Sequence, residues 1–102
     1  MWPRLRDQAS GIEALCRRHR VARLDVFGSA ARGVDFDAAR SDIDLLVAYE
    51  GGHVPALGEF LALRDGLSAA LGRPVDLAMA SALQNPFLRA RIEAERQPLF
   101  AA

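Results

Sequence analysis

Two aspartates separated by one residue are the most chemically informative feature of the sequence. Asp42 and Asp44 open an apolar run that continues to Val47. In a β-strand, residues i and i+2 point to the same face, so the two carboxylates would project together while the apolar residues enter a core. Adjacent carboxylates repel each other, and this cost is offset when they share a divalent cation. Because Mg²⁺ is commonly bound by one or two carboxylates plus substrate phosphates, the pair predicts a metal site for phosphoryl chemistry.

A glycine and a serine upstream could supply the phosphate-binding part of such a site. Gly28 and Ser29 follow a second apolar run. Glycine at a strand end permits close backbone approach, Ser29 offers a hydroxyl, and a helical turn beginning there would present free N–H groups to a triphosphate. Arg32, one turn further on, is the natural side-chain clamp. We therefore expect Gly28, Ser29 and Arg32 to bind a nucleoside triphosphate, together with Ser41, which directly precedes Asp42.

A third carboxylate, Asp76, lies in the short apolar segment 75–79. Val75, Leu77 and Met79 would face the core, which leaves Asp76 on the opposite face, where an adjacent strand would set it beside the aspartate pair. Three acidic groups on one sheet face fit a two-metal site. Asp76 would then be either the base that activates an attacking hydroxyl or a ligand of the second metal ion.

Strand and helix signals alternate along the chain and place these residues on a sheet. Ser10 and Glu13 have capping-box spacing, which predicts an amphipathic helix ending near Arg20, with Cys16 in the core. The other expected elements are a strand over 21–27, a short helical turn over 30–32, a strand over 42–49, a helix from Pro55 to Leu71 closed by Gly72, a strand over 75–79 and a helix that opens at Asn85 and Pro86 and ends before Pro98. This alternation indicates one α/β (α+β) domain over residues 1–102.

Composition narrows the possible partners and compartments. The 13 basic and 13 acidic residues balance, so no net field attracts the chain to nucleic acid or to a membrane surface. All 13 basic residues are arginine, so phosphate contacts would come from planar guanidinium groups. The single Cys16 cannot form an internal disulfide, and there is no signal core and no long apolar run. These features predict a cytoplasmic protein.

The motifs together closely resemble the minimal nucleotidyltransferases of the polymerase-β superfamily. The resemblance covers nearly the whole chain and rests on three segments: Gly28–Gly33, Ser41–Val47 and Val75–Leu77. It implies a polymerase-β-like fold with a small mixed sheet flanked by helices, triphosphate binding by Gly28 and Ser29, and Mg²⁺ binding by Asp42 and Asp44, with Asp76 as the third catalytic carboxylate. Mn²⁺ could substitute. Many members of this family are antitoxins that transfer AMP from ATP to a tyrosine of a HEPN-type RNase toxin, so the resemblance also implies that partner.

The segment between Ser29 and Asp42 departs from the family pattern. Twelve residues separate Ser29 from Asp42, two more than is usual, so 34–40 is expected to form a longer loop that contains Asp35 and Asp37.

Two other functions are alternatives to protein adenylylation. They are an antitoxin that acts by binding alone and a nucleotidyltransferase for small molecules. A homo-oligomer or hetero-oligomer is compatible with each function. Trp2, Phe87, Leu99 and Phe100 are the candidates for a partly exposed partner surface.

Overall fold

The computed structural model describes residues 1–33, 36–37 and 39–102, and within these ranges the chain forms five α-helices and four strands. In chain order these are α1 (Arg4–Asp7), α2 (Ala9–Arg18), β1 (Val21–Phe27), α3 (Gly28–Arg32), β2 (Ile43–Tyr49), α4 (Leu57–Leu71), β3 (Val75–Met79), α5 (Pro86–Glu95) and β4 (Gln97–Ala101). A short 3₁₀ turn, Ala80–Ala82, follows β3. No helix in the described ranges is long and apolar enough to span a membrane.

The four strands form one mixed sheet in the order β3-β2-β1-β4. β1 runs antiparallel to β2 and to β4, whereas β2 and β3 are parallel. The parallel pair requires a crossover, which α4 supplies between the two strands. The predicted fold class, a small mixed sheet flanked by helices, is confirmed.

The main hydrophobic core lies between one face of the sheet and helices α2 and α4. Its fully buried members include Leu24 and Val26 of β1, Ile43, Leu45 and Val47 of β2, Ile12 and Cys16 of α2, and Leu63, Leu67 and Leu71 of α4. The predicted core position of Cys16 is therefore confirmed. Burial raises the pKa of the Cys16 thiol to about 12, so the sulfur stays protonated and unreactive.

The termini differ most from the sequence-based expectation. The helix predicted to start at Ser10 instead begins at Ala9, with Gln8 at its N-cap and no capping-box contact, and it is preceded by the unpredicted α1. The unpredicted β4 contains Pro98 and lies at the sheet edge, where a missing N–H is tolerated. Pairing of β4 with β1 buries Phe100, so its expected exposure was wrong.

Of the four residues expected at a partner surface, Phe87 is the one that stands out, with 85% of its area exposed. It lies in the first turn of α5, which begins as predicted with Asn85 at the N-cap and Pro86 at the first helical position. Trp2 and Leu99 are partly buried against the core.

Asp25 in β1 is fully buried, the one charged residue so placed among those described. Arg23 Nε donates to Asp25 Oδ1 at 3.0 Å, and Arg96 Nε donates to Asp25 Oδ2 at 2.6 Å. Arg96 directly follows α5, so this ion pair fastens the end of that helix to the sheet. A buried carboxylate is tolerated only when it is paired in this way.

Removing the Asp25 carboxylate should destabilise the protein strongly. We expect Asp25→Ala to lower the free energy of unfolding by about 3 kcal/mol, the lower end of the range for breaking a buried ion pair, because Arg96 keeps Glu93 as a partner. Urea unfolding measures this loss. Glu13→Ala, which removes an exposed pair with Arg17, is the matched control and should cost at most about 0.5 kcal/mol. Equal losses in the two variants would contradict the structural role of Asp25.

Candidate active site

The parallel pairing of β2 with β3 brings two of the predicted acidic residues together. Asp44 of β2 is the direct register partner of Asp76 of β3. Asp42 lies one residue before β2, which starts at Ile43 rather than at Asp42 as predicted. Asp42 and Asp76 are exposed and Asp44 is partly buried. The adjacency of β2 and β3, which the sequence could not establish, therefore exists.

The electrostatics of Asp44 show how closely these carboxylates interact. Burial raises the pKa of the Asp44 carboxyl, and the negative charges of Asp76 and Asp42 raise it further. Arg32 lowers this pKa, and Glu95 adds a smaller increase. The ionised form of Asp44 is thus disfavoured unless positive charge is brought to it.

Gly28 meets Asp44 at the junction of β1 and α3. Its φ of +69° lies in the left-handed region, and a Cβ built on Gly28 would overlap the Oδ2 atom of Asp44. A glycine at this position was expected because it permits close approach of an anion to the backbone. The structure adds a second reason, since any side chain at position 28 would push the Asp44 carboxylate away.

Glu95 accepts hydrogen bonds from two donors that were expected to bind a phosphate. The Gly28 N–H donates to Glu95 Oε2 at 3.2 Å, and Arg32 Nη1 donates to Glu95 Oε1 at 2.9 Å. Arg91, one turn earlier on α5, lies 3.6 Å from the same Oε1 atom. Sequence reasoning missed Glu95, because residue 95 is 67 positions from Gly28 and belongs to no recognisable motif.

Ser41 is held by hydrogen bonds to Asp37 and to Arg73, which follows α4 by two residues. Its hydroxyl accepts a hydrogen bond from the Asp37 N–H at 3.0 Å, and its carbonyl accepts from Arg73 Nη2 at 3.0 Å. These bonds fix the backbone immediately before Asp42. The predicted nucleotide contact of Ser41 stays a prediction. Asp35, the other acidic residue of the predicted long loop, lies outside the described residues.

A cavity of about 170 Å³ opens beside these groups, between the end of β1 and helix α5. Gly28 and Asp44 line one side, and Leu88, Arg91 and Glu95 line the other. Pockets that enclose a whole small ligand usually measure roughly 300–1,000 Å³, so this one would enclose only part of a nucleotide. A larger cavity of about 430 Å³ lies at the opposite end of β2 and has none of the predicted site residues in its lining.

The donor chemistry of the acidic cluster fits Mg²⁺, which prefers carboxylate oxygens and is usually completed by water and substrate phosphates. Burial and the charges of Asp76 and Asp42 raise the pKa of the Asp44 carboxyl, and Arg32 offsets this increase only in part. Among the described residues, however, no three His, Cys, Asp or Glu side chains converge closely enough to hold a metal ion by themselves. A cation at this site would therefore need ligands from outside the chain.

Comparison with known proteins identifies the family. Residues 10–99 match the nucleotidyltransferase domain family. The chain belongs to that family. A relative from Methanocaldococcus jannaschii, provisionally named a protein adenylyltransferase, is 33% identical over 92 residues, which cover 82% of this chain and 90% of the relative. The protein adenylyltransferase MntA of Thermococcus cleftensis is 41% identical over 71 residues, covering 70% and 68% of the two chains.

Solved structures confirm the similarity to minimal nucleotidyltransferases. A provisionally assigned minimal nucleotidyltransferase is 38% identical and superposes with a TM-score of 0.74, covering 92% of this chain and 91% of the other. The complex of a tri-AMPylated HEPN toxin from Shewanella oneidensis with MNT antitoxin also matches in fold, with a TM-score of 0.68 at 19% identity over 96% of this chain and 73% of the other.

Gly28→Ala should inactivate this nucleotidyltransferase by displacing Asp44. The left-handed backbone costs alanine roughly 1–3 kcal/mol wherever it occurs. Gly72→Ala is the matched control, because Gly72 has a φ of +70° and a new Cβ there would meet nothing nearer than 3.7 Å. We expect both variants to lose stability through backbone strain, Gly28→Ala more so because of the overlap with Asp44, and transfer to fall, by roughly 10²-fold, in Gly28→Ala alone. Equal transfer rates would show that Asp44 does not depend on the glycine.

The raised pKa of Asp44 predicts a pH-dependent cost. The folded protein binds this proton more tightly than the unfolded chain, so the contribution of Asp44 to stability is fully present below its ordinary pKa of 3.8 and is lost as the pH rises through the higher folded value. Asp44→Asn cannot ionise, so without metal it should have a higher Tm than the wild type at pH 7, and the gap should close below about pH 3.8. Thermal unfolding across this range measures the difference. Asp65→Asn, on the exposed side of α4, should show no such gain.

Proposed function

We propose that this nucleotidyltransferase transfers AMP from ATP to a tyrosine hydroxyl of a partner HEPN-type toxin and so acts as an antitoxin. The observation that carries the chemical part is the register pairing of Asp44 with Asp76 beside Gly28. The proposed acceptor class is supported by relatives named protein adenylyltransferases and by the similarity in fold to an antitoxin bound to an AMPylated toxin.

Nucleotide binding is assigned to the end of β1 and to α3. Gly28, which has no side chain, would let the triphosphate approach the start of α3 closely, the Ser29 hydroxyl would contact it, and the Arg32 guanidinium would bind it as a charged fork. Ser41 would contribute at the other side of the site. The cavity beside Gly28 is large enough for phosphate groups, so the nucleoside would extend along the open part of the sheet face.

Metal binding is assigned to Asp42 and Asp44, with Asp76 available for a second ion. Mg²⁺ is the expected cation and Mn²⁺ a substitute, because the donors are hard carboxylate oxygens. When bound, the cation supplies positive charge against the phosphates. The phosphate oxygens of ATP would supply the ligands that the chain lacks, which predicts that metal and nucleotide bind together.

The reaction forms one bond and breaks one. The acceptor hydroxyl oxygen attacks the α-phosphorus of ATP, the bond from that phosphorus to the bridging oxygen breaks, and pyrophosphate leaves. The hydroxyl proton needs an acceptor, and Asp76 is the best placed carboxylate because it is exposed on β3 while lying next to Asp44. The partly buried Asp44 is better suited to holding charge in a fixed position.

A protein acceptor also fits the surface around the site. Leu88, 42% exposed, lines the cavity that contains Gly28 and Asp44, and the neighbouring Phe87 is 85% exposed. Exposed apolar side chains beside an open reaction centre suit contact with another protein better than capture of a small molecule.

ATP as substrate and a free Cys16 thiol support a cytoplasmic location as part of the same proposal.

Transfer of label from ATP tests the proposal and the role of Asp76 together. ATP labelled in the α-phosphate is incubated with the protein and with a HEPN-like protein encoded beside it, and tyrosine labelling is followed by mass spectrometry. Asp76→Asn should lower the transfer rate by roughly 10²–10⁴ while leaving ATP affinity within a few-fold, since a general base acts on the reaction and not on substrate binding.

Three other outcomes would each change the assignment. If affinity and transfer fall together and excess Mn²⁺ restores both, Asp76 is a metal ligand. If the toxin is neutralised without labelling, the protein is an antitoxin by binding alone. If a small hydroxyl compound is labelled and the toxin is not, the acceptor class is wrong. Asp65→Asn is the control and should transfer at the wild-type rate.

A further inference from the structure

We infer that Glu95 is a positioning residue that holds Arg32 and the Gly28 peptide in the arrangement needed for the triphosphate. The inference rests on the proposed function, because the triphosphate is the ligand proposed for Gly28 and Arg32. Glu95 is the last residue of α5, and its side chain is 20% exposed.

One carboxylate joins both proposed phosphate-binding groups. Its Oε2 atom accepts from the Gly28 N–H at 3.2 Å, and its Oε1 atom accepts from Arg32 Nη1 at 2.9 Å. An arginine side chain has many rotamers and a planar guanidinium, so a carboxylate at a fixed distance selects one orientation. Because a guanidinium can bind more than one acceptor, pairing with Glu95 is compatible with binding a phosphate.

The position of Glu95 is itself determined by the residue that follows it. Arg96 Nε bonds the fully buried Asp25 carboxylate at 2.6 Å, which fixes the end of α5 on β1. One turn earlier, Ile92 is buried, and Arg91 lies 3.6 Å from Glu95. Glu95 therefore reaches Arg32 from a fixed support, as a residue that orients a ligand-binding group should.

Loss of the Arg32 orientation should change nucleotide affinity more than removal of the Glu95 negative charge does. Glu95 already lies within 3.6 Å of both Arg91 and Arg32, so its field at a bound phosphate is largely compensated. Without the carboxylate, Arg32 loses the contact that fixes its guanidinium beside Gly28, and that orientation must be recovered when the nucleotide binds. Glu95→Gln should therefore weaken nucleotide binding, although it removes a negative charge near an anionic ligand.

A double-mutant cycle between Glu95 and Arg32 tests the inference. Binding of a non-hydrolysable ATP analogue with Mg²⁺ is measured by calorimetry for the wild type, Glu95→Gln, Arg32→Ala and the double variant, and AMP transfer is measured in parallel. We expect Glu95→Gln to raise the Kd and lower kcat/KM by roughly 10-fold or more, the scale for misplaced binding groups. The double variant should lose less affinity than the sum of the two single losses, because part of the effect of Glu95 acts through that arginine.

Glu93→Gln is the matched control. It makes the same change two residues earlier, and Glu93 also binds an arginine, Arg96, at 2.5 Å, but its side chain is 68% exposed and does not line the cavity beside Gly28. We expect wild-type binding and transfer in this variant. If Glu93→Gln matches Glu95→Gln, the effect reflects docking of α5 and the inference is overturned.

The remaining outcomes separate this inference from the proposed function. Unchanged or tighter nucleotide binding in Glu95→Gln, or fully additive effects of the two substitutions, would overturn the positioning role while leaving AMP transfer in place. A wild type that binds the analogue, shows the expected cycle and labels no acceptor would overturn the proposed function and leave Glu95 as a positioning residue. A wild type that binds no nucleotide would overturn both.

Discussion

Repulsion among carboxylates at one end of β2 is the constraint that the rest of this structure accommodates. Asp44 faces Asp76 across the parallel strand pair, and its pKa is raised first by burial and then by the charges of Asp76 and Asp42. β2 tolerates this repulsion because it is paired with a strand on each side and because Ile43, Leu45 and Val47 are almost completely buried. Burial of these apolar side chains stabilises the strand and offsets the cost of the repulsion among the aspartates. Functional sites that depart from local folding rules are usually maintained by such compensation.

Helix α5 is held over the acidic face more by charge than by apolar packing. Ile92 is its one fully buried side chain, whereas the adjacent Glu95 and Arg96 bind groups on α3 and β1. Arg96 has an extended backbone, so the helix ends there and the two neighbouring side chains diverge. Two consecutive charged contacts can fix the position of a short helix beside a polar site. Apolar packing by residues such as leucine cannot do this there, because the site requires polar groups.

Local signals in the sequence predicted much of the fold. Alternating apolar residues identified β1, β2 and β3, and the Gly72 stop and the Asn85-Pro86 start identified the ends of α4 and α5. The edge strand β4 was not predicted, because Pro98 argues against a strand unless its edge position is known. Likewise, Ser10 offered a capping signal that the chain does not use, since Gln8 and the preceding α1 determine where α2 begins.

The candidate site was predictable only to the extent that its residues are close in sequence or form a known motif. Asp42 and Asp44 follow from strand periodicity, but the bond from Glu95 to Gly28 and the burial of Asp25 depend on which strands and helices become neighbours. Such pairs leave no periodic pattern, because each partner alone resembles an ordinary surface charge.

The steric match between Gly28 and Asp44 has a further consequence. Gly28 has a left-handed backbone, and the Asp44 carboxylate fills the space that a Cβ there would occupy, although 15 residues separate the two positions. A side chain at 28 would displace the carboxylate, and a larger residue at 44 would press on the backbone that begins α3. The glycine-serine segment and the paired aspartates therefore form one unit in space, and neither can change without disturbing the other.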